Sequence, residues 1–138
     1  MNKVVTLKIE LPQIPDIELV ALEGLDRLSR HLGISDEKIG EARIFVTEAI
    51  INGLEHGGDE NPKVNVEFTM TKKELIIFVR DYGKGFVPSA VEDPNIQKKM
   101  GSKNKRGWGL KLIKSMSDDF QIDSNSSGTK ITIKKLLS

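Results

Sequence analysis

Three polar side chains recur every four residues near the middle of the chain: Glu48, Asn52 and His56. In an α-helix they share one narrow face, because four residues advance the face by only about 40°. A carboxylate there could act as a general base, and an amide oxygen could bind a metal ion. The solvated face of an amphipathic helix has the same composition, so this stretch alone supports either interpretation.

Asp81 is a second residue that could take part in binding or catalysis. It follows the apolar segment 75–79 and precedes Gly83 and Gly85. At the end of a buried strand, its carboxylate could accept a hydrogen bond from a ligand donor such as an exocyclic amine. Aspartate is also an ordinary turn-forming residue. One hairpin separates this turn from the polar helix face, so the two elements can flank one cleft. Their combination favours a ligand site over two unrelated features.

Two further glycines, Gly107 and Gly109, lie where a third helix is predicted to begin. Free N–H groups and the positive dipole end of a helix favour an anion, and Lys103, Lys105 and Arg106 add positive charge beside them. A phosphate-bearing ligand fits this arrangement. Taken alone, the glycines also fit an ordinary hinged surface loop with solvated lysines.

Bulk composition narrows the class of protein. The 138 residues suffice for one domain, and 21 basic against 20 acidic side chains give a formal net charge of +1. This balance, with only 5% aromatic residues, does not indicate a nucleic-acid partner. The absence of cysteine excludes a disulfide framework, a cysteine-based zinc site and a thiol nucleophile. No apolar run approaches the roughly 18 residues of a membrane span, so we expect a cytoplasmic protein without a membrane partner.

The first half of the chain is predicted to fold as a strand followed by two helices. Residues 4–11 alternate between apolar and polar side chains, as a strand with one covered face does. Apolar residues recur with a helical period over residues 17–32, which predicts a helix, and Gly33 is a typical C-cap. A second helix is predicted from Ser35 to about His56, and it carries the polar stripe.

The second half is predicted to contain two hairpins and one helix. Segments 64–70 and 75–79 form the first hairpin, and segments 120–122 and 131–133 form the last. Between them, residues 87–106 lack periodicity, as a lid or binding loop does. The order of elements predicts an α+β fold: a two-layer sandwich of a mixed, mostly antiparallel sheet with about three helices on one face.

Four short motifs, in this order along the chain, resemble one known ATP-binding fold. They are Glu48-x-x-x-Asn52, Asp81-x-Gly83-x-Gly85, Gly107-x-Gly109-Leu110 and Gly128-Thr129. Gyrase, Hsp90, histidine kinases and the MutL mismatch-repair protein share this Bergerat-type fold and form the GHKL superfamily. Within it, the chain most resembles the free-standing anti-sigma factor serine/threonine kinases of bacteria. The resemblance implies a single kinase domain over residues 1–138, with a mobile ATP lid at about 87–106.

The resemblance also implies ATP and Mg²⁺ as cofactors and gives each matched residue a role. Asn52 would coordinate Mg²⁺, whose preferred ligands are oxygen atoms. Asp81 would accept a hydrogen bond from the adenine amine, assisted through water by Thr129. Gly83 and Gly85 would allow the backbone to approach the nucleotide.

By the same resemblance, the third motif would contact the phosphates. Gly107 and Gly109 would let the lid close, and Leu110 belongs to the same nucleotide-binding set. Lys105 or Arg106 would lie near the terminal phosphate. These residues would neutralise charge and position the nucleotide for transfer.

Glu48 would be the general base that accepts the proton of the attacking hydroxyl group. His56 matches a histidine of the family but receives no role, and packing at the helix end is the expected one. Two residues depart from the family pattern. Gly53 stands where relatives often have alanine and should weaken the helix by about 0.5–1 kcal/mol. Trp108 is bulkier than the residue expected between the lid glycines.

The implied function is that of an ATP-dependent serine/threonine kinase acting as an anti-sigma factor. It would phosphorylate a STAS-type anti-anti-sigma protein, sequester a sigma factor and form a homodimer, for which the alternating first strand offers an edge. One alternative is a non-catalytic ATP-binding anti-sigma module, in which the base is idle. Another is a GHKL ATPase, in which Glu48 activates water. A histidine kinase fragment is disfavoured, because no dimerisation helix with a phosphoacceptor histidine is evident.

Overall fold

The computed structural model describes residues 3–55, 62–83 and 106–137, and within them an α+β fold. The elements in chain order are β1 (Val5–Pro12), α1 (Glu18–His31), α2 (Asp36–Glu55), β2 (Lys63–Met70), β3 (Glu74–Asp81), α3 (Arg106–Met116), β4 (Asp119–Asn125) and β5 (Gly128–Leu136). Each predicted helix and strand therefore forms, with bounds that shift by a few residues. Most of the predicted lid lies outside the described residues, and Arg106, its last residue, opens α3.

The five strands form one sheet in the order β1-β2-β3-β5-β4, with β3 at its centre. All four pairings between the described strands are antiparallel. Alternation of apolar and polar residues sets the register, since a shift by one residue would turn every apolar side chain to the other face. Val66 lies opposite Val79, and Ile77 lies opposite Ile133, so their side chains share one face.

The three described helices cover that face of the sheet and leave the other face open. In β2 and β3 every second residue is buried, and all of these buried residues are apolar except Asp81. Helix α2 packs on β2, β3 and β5, while α1 packs on β1 and β2 and α3 packs on α2 and β4. The core between the two layers includes Phe45, Ile50, Phe68, Ile77 and Ile133. The predicted fold class is confirmed.

Local signals explain where the first two helices begin and end. Asp16 adopts a left-handed backbone conformation (φ 63°), which aspartate tolerates and a helix excludes, so α1 begins after it, at Glu18. Gly33 has φ 73° and closes α1 as predicted. Ser35 accepts a hydrogen bond from the backbone N–H of Lys38 over 3.4 Å, which is the contact of an N-cap residue.

The N-terminal half of α2 is tied to the C-terminal segment of the chain by polar contacts. The Lys135 ammonium lies 2.6 Å from the Glu41 carboxylate, and the Lys38 ammonium donates to the backbone oxygen of Leu137 over 2.7 Å. The Asp118 carboxylate accepts from the backbone N–H of Leu136 over 2.7 Å. The first two contacts hold α2 at the end far from Asn52, and the third joins the end of β5 to the residue before β4. No helix in the described segments is long and apolar enough to cross a membrane.

Candidate functional site

The last turns of α2 approach the ends of β2 and β3 unusually closely, and a glycine makes this approach possible. A Cβ atom on Gly53 would lie 3.0 Å from a methyl carbon of Val64 and 3.6 Å from Cβ of Asp81. An alanine would therefore press on Val64. The residue that departs from the family pattern thus has a packing reason that opposes the gain in helix propensity from alanine. It brings Asn52, its neighbour in the chain, to the sheet.

Asp81 ends β3 with its side chain on the covered face, and only 2% of its surface is exposed. One carboxylate oxygen, Oδ1, accepts hydrogen bonds from the backbone N–H groups of Gly83 (3.0 Å) and Thr129 (3.2 Å). The bond to Gly83, two residues on, forms a turn that aspartate favours. Two bonds to one oxygen, from two chain segments, fix the orientation of the carboxylate. The predicted position of Asp81 at a strand end is confirmed.

The first residues of β5 complete this part of the site. Thr129 is 1% exposed, and its hydroxyl lies 2.8 Å from the hydroxyl of Ser124 on β4. Gly128 has φ 130°, a conformation that side chains disfavour. A Cβ atom there would collide with the backbone oxygen of Asp81 and lie 2.9 Å from Cα of Tyr82. The Gly128-Thr129 motif therefore owes its glycine to a close backbone contact with the end of β3.

Asn52 is 3% exposed, and its side-chain nitrogen has no hydrogen-bond partner among the described residues. A buried polar group without a partner costs about 1–3 kcal/mol, and such groups are few in native structures. A half-turn of the amide exchanges its nitrogen and oxygen, so the oxygen can occupy the same position. An oxygen there meets the requirement of a Mg²⁺ ligand. The residue thus fits the predicted metal role.

Glu48, one turn before Asn52, lies against the backbone of the first turn of α3. A Cβ atom on Gly109 would collide with the Glu48 carboxylate and lie 3.1 Å from its Cδ atom. Gly109 therefore makes room for the carboxylate, which is a role that the sequence did not suggest. The start of a helix also carries partial positive charge, which favours a carboxylate beside it.

The structure brings together most of the predicted residues that it describes. Glu48 and Asn52 lie on α2, Asp81 and Thr129 lie on adjacent strands, and Leu110 is buried in α3 at 3% exposure. No group of three or more His, Cys, Asp or Glu side chains within the described segments could hold a metal ion by itself.

Some predicted residues lie outside this description. Gly85, Lys105 and His56 are not among the described residues. Arg106 and Gly107 belong to the first turn of α3, so this helix begins one residue before the predicted Gly107. The roles that the resemblance implies for Gly85, Lys105, Arg106 and Gly107 remain predictions.

Sequence reasoning missed Ser124 and Tyr82. Ser124 contacts Thr129 only because β4 pairs with β5, and Tyr82 lies inside the Asp81 motif at a position that the motif leaves variable. The sequence shows Gly53 as a departure from the family pattern, but the reason for a glycine there depends on the distance between α2 and β2.

The family of the chain follows from this site and from a comparison with known families. Residues 16–135 match the family described as histidine kinase-like ATPase domain. The match covers most of the chain, so the protein belongs to the histidine kinase-like ATPase family. The superfamily predicted from the four motifs is confirmed.

Curated relatives narrow the similarity to anti-sigma kinases. The chain is 25% identical to a serine-protein kinase RsbW of Oceanobacillus iheyensis over 137 residues, covering 95% of this chain and 86% of that protein. It is 27% identical to the RsbW kinase of Listeria monocytogenes over 127 residues, covering 84% and 78%. It is also 27% identical to the anti-sigma F factor of Bacillus subtilis over 105 residues, covering 74% and 72%. The predicted resemblance to anti-sigma kinases is confirmed.

Solved structures share the fold at low sequence identity. A Mycobacterium tuberculosis protein with RsbU and RsbW domains superposes with a TM-score of 0.67 at 17% identity, over 96% of this chain and 32% of that one. The histidine kinase domain of a blue-light activated kinase from Erythrobacter litoralis gives a TM-score of 0.51 at 19% identity, over 73% and 48%. This chain therefore spans about a third to a half of those proteins.

Proposed function

We propose that the protein is an ATP-dependent serine/threonine kinase that acts as an anti-sigma factor and phosphorylates an anti-anti-sigma protein. The observation that carries the proposal is a set of three side chains at the C-terminal end of α2 and the end of β3. Asp81 supplies a buried, oriented carboxylate, Asn52 supplies a buried amide whose nitrogen has no partner among the described residues, and Glu48 supplies a second carboxylate one turn before Asn52. The names of the curated relatives support the substrate class and the sigma factor as a partner.

Asp81 selects adenine in this proposal. Its carboxylate can only accept hydrogen bonds, so it pairs with the 6-amino group of adenine. Guanine presents a carbonyl oxygen at that position, and two acceptors would repel each other in a buried site. The backbone N–H of Thr129 helps to hold the Asp81 carboxylate, and Thr129 assists adenine binding through a water molecule.

Asn52 would hold Mg²⁺ through its amide oxygen, next to the phosphates. A bound Mg²⁺ would neutralise charge on the phosphates during transfer. Lys105, Arg106, Gly107 and Gly109 complete the phosphate-binding part of the proposal, as the motif implies. The buried amide at the end of α2 supports this assignment, because its nitrogen lacks a hydrogen-bond partner among the described residues.

Glu48 acts as the general base. The acceptor hydroxyl attacks the γ-phosphorus, a new oxygen–phosphorus bond forms, and the bond to the β-phosphate oxygen breaks to release ADP. The hydroxyl proton passes to the Glu48 carboxylate. Contact with the Gly109 backbone limits the orientations of this carboxylate, which supports its role in positioning and proton transfer.

The partners of the proposal are a STAS-type anti-anti-sigma protein, a sigma factor and a second copy of the chain, all in the cytoplasm. β1 is an edge strand of eight residues, so it can pair with another chain. An antiparallel pair centred on Ile9 would place Lys8 opposite Glu10 of the copy, which is a favourable cross-strand charge pair. Sedimentation equilibrium at increasing concentration tests this; a monomer throughout would overturn the homodimer.

The decisive experiment uses labelled ATP, Mg²⁺ and a STAS-type antagonist protein, and compares the wild type with Glu48→Gln. Transfer should fall by about 10²–10⁴-fold while ATP binding stays within about twofold, since the base acts in the transition state. Unchanged transfer would exclude Glu48 as the base. Tight ATP binding without transfer would favour the non-catalytic module, and release of inorganic phosphate without a labelled protein would favour an ATPase.

A control variant tests the nucleotide assignment itself. Asp81→Asn keeps an oxygen that can accept the two backbone N–H bonds but replaces the other oxygen with a donor. ATP affinity should fall by about 2–3 kcal/mol, because donor would then face donor in a buried site. If calorimetry shows unchanged ATP affinity, the adenine assignment is wrong.

A further inference from the structure

Tyr82, between Asp81 and Gly83, makes a set of contacts that the proposed nucleotide site does not require. Its ring lies 4.8 Å from the Arg80 guanidinium and 5.1 Å from the Lys63 ammonium, measured to the ring centroid. The side-chain amide of Asn65 donates a hydrogen bond to the Tyr82 hydroxyl over 2.7 Å. One aromatic side chain thus has two cationic contacts and one hydrogen bond.

These partners all lie on the open face of the sheet, opposite Asp81. Arg80 precedes the buried Asp81 in β3, while Lys63 and Asn65 flank the buried Val64 in β2. Since successive strand residues point to opposite faces, the ring is on the side of the sheet away from the Asp81 carboxylate. Asn65 also lies directly opposite Arg80 in the register. The ring therefore ties the end of β3 to β2.

Tyr82 is also the middle residue of the turn that orients Asp81. The carboxylate oxygen Oδ1 of Asp81 accepts from the backbone N–H of Gly83, so this bond spans Tyr82. From the other strand, the backbone at Gly128 packs against the backbone of Asp81 and Tyr82. Immobilising the ring therefore fixes both ends of the hydrogen bond that sets the carboxylate orientation.

We propose that Tyr82 is a positioning residue for adenine recognition. Its ring, held by Lys63, Arg80 and Asn65 on the open face, sets the orientation of the Asp81 carboxylate on the covered face. This inference rests on the proposed role of Asp81. Without the ring, the carboxylate samples more orientations, and part of the binding free energy is used to order it.

The experiment compares two nucleotides by isothermal titration calorimetry: ATP and purine riboside triphosphate, which lacks the 6-amino group. The wild type should bind ATP more tightly, because only ATP offers the amine to Asp81. Tyr82→Ala should weaken ATP binding about tenfold, equal to about 1.4 kcal/mol, and change the affinity for the analogue by less than about twofold. Tyr82→Phe keeps the ring and loses only the hydrogen bond to Asn65, so ATP binding should weaken about two- to threefold.

Phe78→Ala is the matched control. Phe78 lies on the same strand and open face, opposite Glu67 and Thr132, and away from the Asp81 turn. Its truncation should lower the free energy of unfolding without changing the ratio of the two affinities. Tyr82→Ala weakening both nucleotides equally, or neither, would overturn the inference, because the ring would then be only structural.

Two further outcomes separate the inference from the proposed function. If the wild type binds ATP and the analogue equally well, or neither, the role of Asp81 fails, and the inference fails with it. If Tyr82→Ala does not fold by circular dichroism, Arg80→Gln replaces it, since this variant keeps the ring and removes one cation. An ATP-specific loss of about twofold then supports the inference, and an unchanged ratio in both Arg80→Gln and Tyr82→Phe overturns it.

Discussion

The two ends of helix α2 differ in whether their polar side chains have partners within the described protein. Near its N-terminus, Glu41 pairs with Lys135 over 2.6 Å, and Lys38 donates to the backbone oxygen of Leu137 over 2.7 Å. Near its C-terminus, the Asn52 amide nitrogen is buried without a partner among the described residues, close to the buried carboxylate of Asp81. The polar groups described at the first end find their partners within the protein, whereas the amide nitrogen at the second end is available to a ligand.

This contrast separates folding free energy from binding free energy. A partnered polar contact stabilises the folded state modestly, and its loss is measured in unfolding. A buried amide without a partner lowers stability, and proteins retain such groups where function requires them. Changes at the C-terminal end of α2 should therefore affect nucleotide binding more than stability, and changes at the N-terminal end should do the reverse.

The strongest test of the contrast is Asn52→Ala. Affinity for ATP with Mg²⁺ should fall about 100-fold, equal to about 2.7 kcal/mol, because the proposed metal ligand is lost. The free energy of unfolding should change by less than about 1 kcal/mol, since relief of the unpartnered amide offsets the small cavity. Calorimetry and urea unfolding measure the two quantities. A larger loss in stability than in binding would reverse the proposed assignment.

Gly128→Ala should have the next largest effect, this time on stability. The backbone at φ 130° and the collision with the Asp81 backbone oxygen together should lower the free energy of unfolding by about 2 kcal/mol or more. Gly40→Ala is the control, because a Cβ atom on this helical glycine meets nothing within 4 Å. It should raise stability by about 0.5–1 kcal/mol. Equal urea midpoints for the two variants would contradict the argument.

Gly53→Ala measures how closely α2 approaches the sheet at the functional end. Alanine gains helix propensity, but its Cβ atom would lie 3.0 Å from Val64. We expect this variant to be less stable than Gly40→Ala by about 1 kcal/mol, and the difference isolates the packing term because both glycines lie in α2. Urea unfolding of the two variants in parallel tests this. If the two variants gain stability equally, Val64 accommodates the added Cβ atom without a packing cost.

Glu41→Gln should have the smallest effect and sharpen the comparison from the other end. The free energy of unfolding should fall by about 0.5–1 kcal/mol, because the ion pair with Lys135 is partly exposed, and the ATP affinity should not change. The stability difference should shrink at 1 M salt, where charges are screened. A loss of ATP affinity would show that the two ends of α2 are coupled.

The sequence was sufficient for the fold because each signal there is local. The alternation in β1, the apolar run of β3, the helical period of α1 and the glycine at position 33 each depend on neighbours within a few residues. The element bounds differed where one residue's conformation decided them, as at Asp16. The same local reasoning identified Glu48, Asn52 and Asp81 as candidates, and the resemblance to the ATP-binding family added Thr129.

What the sequence alone determined, then, is the order of elements and the residues that carry chemistry. Only the tertiary structure decided what surrounds them. A side chain on Gly53 would meet Val64, one on Gly109 would meet the Glu48 carboxylate, and one on Gly128 would meet the backbone of Asp81. The contacts of Tyr82, and the lack of a partner for the Asn52 amide nitrogen among the described residues, were likewise decided by the tertiary structure. The physical reason is that periodicity and motifs report which face a residue occupies, whereas steric and hydrogen-bond requirements depend on atoms from distant segments brought within a few ångströms.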